Sequence, residues 1–121
     1  MLYAILCYSD EAVVESWSKE EDAAVIAKRR AVTKPLAAAG KLGPVVRLMP
    51  TSAAVTIRSG KEPLVIDGPF AETKEQLLGF YVVECASLEE AIDTATRIKG
   101  DEQEGAFEVR PLRLFEPAGP K

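Results

Sequence analysis

Phe80-Tyr81-Val82-Val83-Glu84-Cys85-Ala86-Ser87-Leu88-Glu89-Glu90-Ala91 is the stretch on which the fold turns. Phe80 to Cys85 is rich in aromatic and β-branched residues and carries apolar side chains on both alternating sets, which predicts a strand covered on both faces. Ser87 and Glu90 stand in the S-x-x-E spacing of a capping box, so a helix starts immediately afterwards. Leu88, Ala91, Ile92, Ala95 and Ile98 give that helix an apolar stripe, and Gly100 closes it.

Toward the N-terminus the pattern recurs in the same order. Leu2 to Tyr8 reads as a strand with apolar residues on both faces. Ser9-Asp10-Glu11 ends it. Ser18 and Glu21 form another capping box, and Ala24, Val25, Val32 and Leu36 recur at helical spacing up to a stop at Gly40. Pro35 conflicts with a straight helix, because an interior proline costs about 3 kcal/mol. The expectation is a kink near Ala31, or a break with Pro35 opening a second short helix. Trp17 is expected to pack where this helix begins.

Between the helices, Val45 to Leu48 and Ala53 to Arg58 read as strands. Ser59-Gly60 marks a turn, and Leu64-Val65-Ile66 returns as a hairpin partner with Pro63 at its edge. Ala71 to Leu78 has the propensity for one or two helical turns. Phe107 to Leu112 is a last strand. The order β-α-β-β-(β)-β-α-β is an α+β, ferredoxin-like pattern with one added hairpin strand. It places both helices on one face of an antiparallel sheet. The other face, apolar in the first strand and in Phe80 to Cys85, would expose several hundred Å² on a monomer. Sheet-on-sheet packing in a homodimer is the expected solution. Residues 1–115 read as a single domain and 116–121 as a flexible tail.

The bulk properties narrow the function. The chain has 121 residues, 47% hydrophobic and 28% charged, with a formal net charge of −4. An acidic chain is a poor match for phosphate backbones, so no nucleic-acid partner is expected. Lys28-Arg29-Arg30 is the only short basic cluster and reads as a solvated helix face. No run approaches the roughly 18 apolar residues of a membrane span, and the N-terminus lacks a basic leader. Cys7 and Cys85 read as buried thiols of a reducing cytoplasm. The absence of histidine removes the usual general base and most zinc sites, so neither a metal nor a cofactor is expected.

Candidate site residues centre on Asp67-Gly68-Pro69-Phe70. Gly68 suits a positive φ and Pro69 the first turn of a following helix, which would set Asp67 near a helix N-terminus. Asp67 is then either a structural cap or a general base and ligand anchor in a cleft between the sheet and the long helix. As a base it would need burial to raise its pKa. Phe70 is a candidate wall of that cleft. Lys74 belongs to a solvated face, or pairs with Asp67 or an anionic ligand. Tyr8 and Arg110 could face the same cleft if the first and last strands are neighbours. Arg110 could hold a carboxylate with both arms, or form a structural ion pair.

The stretch Asp67 to Gly79 (DGPFAETKEQLLG) resembles the YCII-related family, in its DGPF-domain branch. Tyr3 to Glu11, Phe80-Tyr81-Val82-Val83 with Ser87-Leu88-Glu89-Glu90-Ala91, and Glu108-Val109-Arg110-Pro111 are similar to other parts of the family, so the likeness covers nearly the whole chain. It implies a ferredoxin-like fold that dimerises into an α+β barrel. A histidine–aspartate active site is proposed in the wider family; the aspartate corresponds to Asp67, and the histidine has no counterpart here. The branch is also associated with extracytoplasmic-function sigma factors, which implies an accessory or sensing role. Two functions are therefore weighed: a dimeric small-molecule-binding accessory or sensor protein, and a cofactor-free isomerase or lyase-like enzyme using Asp67 as acid and base.

Overall fold

The computed structural model describes residues 1–62 and 64–117. The chain runs β1 (Leu2–Ser9), α1 (Glu11–Glu15), α2 (Lys19–Ala38), β2 (Leu42–Arg47), a 3-10 turn (Thr51–Ala53), β3 (Val55–Arg58), β4 (Leu64–Asp67), β5 (Gln76–Glu84), α3 (Leu88–Lys99) and β6 (Ala106–Pro111). Four strands form an antiparallel sheet in the order β2-β5-β1-β6. With α2 and α3 as the crossovers, this is the ferredoxin-like arrangement. Among the described residues the extra hairpin does not extend that sheet; β3 and β4 pair only with each other. The edge position expected for Pro63, and the tail expected over 118–121, fall outside the described residues.

Strand alternation sorts the sheet into two faces. Tyr3, Ile5, Cys7, Tyr81 and Val83 point toward the helices and join Ala91, Ala95 and Ile98 of α3 in the core. Ile5, Val83 and Ile98 are fully enclosed, and burial of side chains of this size stabilises by about 1.5–3 kcal/mol each. The other face presents Ala4, Leu6, Tyr8, Phe80 and Val82, beside Glu108 and Arg110 of β6. Neither helix belongs to that face. Among the described residues, no helix is long and apolar enough to cross a membrane.

Both predicted helix starts are present. Ser18 and Glu21 complete a reciprocal capping box. At α3, Ser87 accepts from the Glu90 amide, but the Glu90 carboxylate reaches back to the amide of Ala86 instead of Ser87. Two local expectations are corrected, and one element is added that no local signal announced. Helix α2 neither breaks nor restarts at Pro35. The proline lies in its last turn, where it forfeits one bond, and the helix closes with the Ala39 amide donating to the Pro35 carbonyl at 3.0 Å. A short helix, α1, follows β1 at once, with Asp10 accepting from the Ala12 amide; five residues are too few to show a period. No helix forms over Ala71 to Leu78. Gln76 and Leu77 pair with Ser9 and Tyr8 in the β1–β5 ladder, and this tertiary pairing overrides the local helical propensity.

Gly79 has a spatial role. It lies opposite Arg47 in the β2–β5 ladder, and a Cβ there would stand 2.2 Å from the Val46 carbonyl oxygen. Only glycine lets the two strands approach this closely at the end of the sheet where the site described next opens.

Candidate functional site

Helix α2 is amphipathic in an unusual way. Its inward row carries Val25, Arg29, Val32, Thr33 and Leu36, so a guanidinium and a hydroxyl occupy places where a packed helix would have leucines. Thr33 is the only α2 residue that is buried, and Ala24, expected on the stripe, is exposed. The helix therefore stands off one end of the sheet. A cavity of about 450 Å³ remains between α2 and the sheet, with walls that include Trp17, Val25, Arg29, Thr33, Tyr81 and Phe107. That is the size range of small-molecule sites. It is also the cleft between sheet and long helix that the sequence suggested.

The charged centre of this cavity is Arg29. Its Nη2 donates to both carboxylate oxygens of Glu102, at 2.9 and 2.8 Å, and its guanidinium lies 5.4 Å from the centroid of the Phe107 ring. Glu102 sits in the α3–β6 connection, which Lys99 fixes by donating to the Glu102 and Glu104 carbonyls. Burial on its own would lower the Arg29 pKa, but the hydrogen bonds and charge of Glu102 more than reverse this, so the cation is permanent. Arg29 Nε is enclosed and has no partner among the described residues. At the rim, Arg47 forms a two-armed pair with Asp22, at 3.0 and 2.6 Å, and so ties the end of β2 to the start of α2.

The same surroundings disarm the nucleophile. Burial pushes the Cys7 thiol up to about 11; the Arg29 cation opposes this and the Glu102 carboxylate adds to it. Burial likewise holds the Tyr81 hydroxyl above its ordinary value, with Arg29 opposing. At neutral pH both groups are protonated. The cavity wall thus offers hydrogen-bond donors and apolar surface rather than a thiolate.

The residues singled out from sequence are dispersed. Tyr8 borders the cavity. It also shares a sheet face with Arg110: β1 and β6 are neighbours, and Arg110 stands opposite Ala4 in their register. That face is turned away from the helices and is not the cleft. Arg110 is exposed and pairs with Glu108 on its own strand at 2.6 Å. Asp67 ends β4, opposite Val55, and is exposed. No helix follows it, so no helix N-terminus acts on its carboxylate. Among the described residues its side chain makes no hydrogen bond. The turn itself is built as expected: Gly68 has φ +97°, its amide donates to Ala54, and its carbonyl accepts from Thr56. Phe70 is 76% exposed, and Lys74 is exposed with no ion pair among the described residues.

The solvated helix face expected for Lys28-Arg29-Arg30 is corrected at Arg29, which turns into the cavity, and Glu102 and Thr33 carried no expectation. A signal existed for the first: Arg29 falls four residues after Val25 and three before Val32, on the predicted apolar stripe. Nothing local identifies Glu102, which reaches Arg29 across 73 positions of sequence. Trp17 does lie where α2 begins, and it also forms part of the cavity wall.

Two comparisons bear on this architecture. The sequence profile of the YCII-related domain matches residues 1–116. An uncharacterized protein of Rhizobium meliloti (strain 1021) is 57% identical over 119 residues, covering 97% of this chain and 96% of that protein.

Proposed function

This chain belongs to the YCII-related family, and within it we propose a binding role: a homodimer that takes a small molecule into the cavity between α2 and the sheet. The observation that carries this reading is the cavity itself, about 450 Å³, whose apolar and aromatic side chains surround the largely buried Arg29–Glu102 pair, with further charged residues in its wall. A well-packed domain of this size does not keep such a space without a reason, since unfilled volume costs contacts along its whole lining. Binding is favoured over catalysis because the chain has no histidine and the Cys7 thiol, pushed up to about 11, is protonated. The dimer is favoured by the sheet face without a covering helix, where Leu6 and Phe80 remain half-buried, and by the exposed apolar residues of the β3–β4 hairpin, among them Ile57 at 75%.

A thermal-shift screen of small neutral and acidic metabolites tests the binding role. Ligands that raise the melting temperature of the parent should fail to do so in Val25→Phe, which fills the cavity from the α2 side. Asp67→Asn should bind them as the parent does, because Asp67 stands on the exposed hairpin. Ligands that stabilise parent and Val25→Phe equally would place the binding elsewhere. A loss on Asp67→Asn would bring the hairpin into the site.

A further inference from the structure

The donors left over in the cavity define what it accepts. Both oxygens of Glu102 are served by one nitrogen of Arg29, Nη2. Nε is sealed from solvent, whereas Nη1 is not enclosed; the Tyr81 hydroxyl stands close to the guanidinium, but among the described residues Nη1 makes no hydrogen bond of good geometry. One turn further along α2, on the same side, Thr33 is 7% exposed. Helical threonines commonly donate to the carbonyl four residues back, as Thr94 does to Glu90 and Thr96 to Ile92. Among the described residues the Thr33 hydroxyl makes no such bond and is not sealed off. Two unused donors therefore sit at i and i+4 on the cavity side of one helix.

Charge decides which acceptor suits them. The cavity wall includes Arg29, Arg30 and Arg47, and against them Asp22, Glu102 and Glu104. Arg29 and Arg47 are already neutralised by Glu102 and Asp22. An incoming carboxylate would lose its hydration and meet Glu102 across the same guanidinium. A neutral carbonyl satisfies the donors without that conflict. The shape follows from the walls: the Phe107 ring lies against the guanidinium, and Trp17 and Tyr81 add further aromatic surface, an arrangement that favours a flat ring.

We propose that the cavity binds a small, flat, apolar molecule bearing an uncharged carbonyl, with the carbonyl oxygen accepting from Arg29 Nη1 and the Thr33 hydroxyl. This deepens the binding role proposed above and rests on it. Three probes of nearly equal shape separate the terms: acetophenone, with the neutral carbonyl; benzoate, with the charge; and ethylbenzene, with neither. Binding to the full chain is followed by the indole N–H resonance of Trp17, the chain's single tryptophan. Acetophenone is expected to bind at least about tenfold more tightly than ethylbenzene, the worth of one charge-assisted hydrogen bond from Arg29 with a weaker one from Thr33, and more tightly than benzoate. Thr33→Val, which keeps the shape, should weaken acetophenone about threefold and leave ethylbenzene unchanged. Arg29→Lys should remove most of the remaining preference. Equal binding of acetophenone and ethylbenzene would overturn the inference while leaving the cavity as a binding site. Tightest binding by benzoate would overturn the choice of a neutral group. Failure of all three probes to move the Trp17 resonance would count against both the inference and the binding role.

Discussion

Arg29 and Glu102 are joined through a single guanidinium nitrogen, with both carboxylate oxygens within 2.9 Å of Nη2. The pair fastens the middle of α2 to the α3–β6 connection at one end of the cavity, and it leaves Nη1 outside the ion pair. Both side chains are about three-quarters buried, at 26% and 23% exposed. Arg29→Met should therefore cost about 1–3 kcal/mol, below the loss for a fully buried pair, because Glu102 keeps some access to water. Adding Glu102→Gln to that variant should recover part of the loss. Urea denaturation of the two single variants and the double variant measures the coupling. Strictly additive effects would mean that the pair contributes no stability of its own.

Cys7 makes stability depend on alkaline pH. Its folded pKa, about 11, lies above the ordinary thiol value of 9.0 because burial disfavours the thiolate. The unfolded chain therefore ionises first. The stabilisation is fully present below pH 9 and is lost as pH rises from 9 through 11, by roughly 2–3 kcal/mol for two pKa units. Cys7→Ala should flatten the stability profile over this window and leave it unchanged at pH 7 apart from a constant offset. Denaturation midpoints at pH 7, 9 and 10.5 decide the matter. Identical slopes in parent and variant would remove Cys7 as the source.

Gly79→Ala should loosen the end of the sheet that floors the cavity. The added Cβ would have to displace the Val46 carbonyl, which is backbone and cannot rotate aside. A loss of about 1–3 kcal/mol is expected, as for overpacking elsewhere. Exchange of the amide protons along β2 should quicken as well. A change within 0.5 kcal/mol would show that β2 moves away at little cost.

The proposed dimer places Leu6 in a sheet-to-sheet interface. Light scattering should give twice the chain mass at micromolar concentration. Leu6→Glu should halve it without loss of helical signal, because Leu6 lies on the face opposite α2 and α3. A monomeric parent would end the proposal for that face.

Much of the fold is legible in the sequence. Ser18 with Glu21, and Ser87 ahead of Glu90, mark where the long helices begin, because caps are local chemistry. The apolar alternation of Leu2 to Tyr8 and Phe80 to Cys85 marks the central strands, because strand burial is written with a period of two. Gly68 needed no more than a turn to explain it, and a turn with positive φ is what it occupies. The family resemblance read from Asp67 to Gly79 and the flanking strands agrees with the profile match over residues 1–116.

What the sequence alone determined is therefore the two long helices, the central strands beside them, their order, and the α+β arrangement of those helices against an antiparallel sheet. Tertiary structure decided the rest, because it depends on contacts between distant positions. Strand pairing drew Gln76 to Leu78 into β5 and left Asp67 without the helix its turn had suggested. Register placed Arg110 on the face away from the cleft. Above all, Arg29 looked like part of a solvated basic run until Glu102, 73 residues away, neutralised it at the edge of a cavity. A buried charge is tolerable only beside its partner, and a partner so far along the chain leaves no mark in the local pattern.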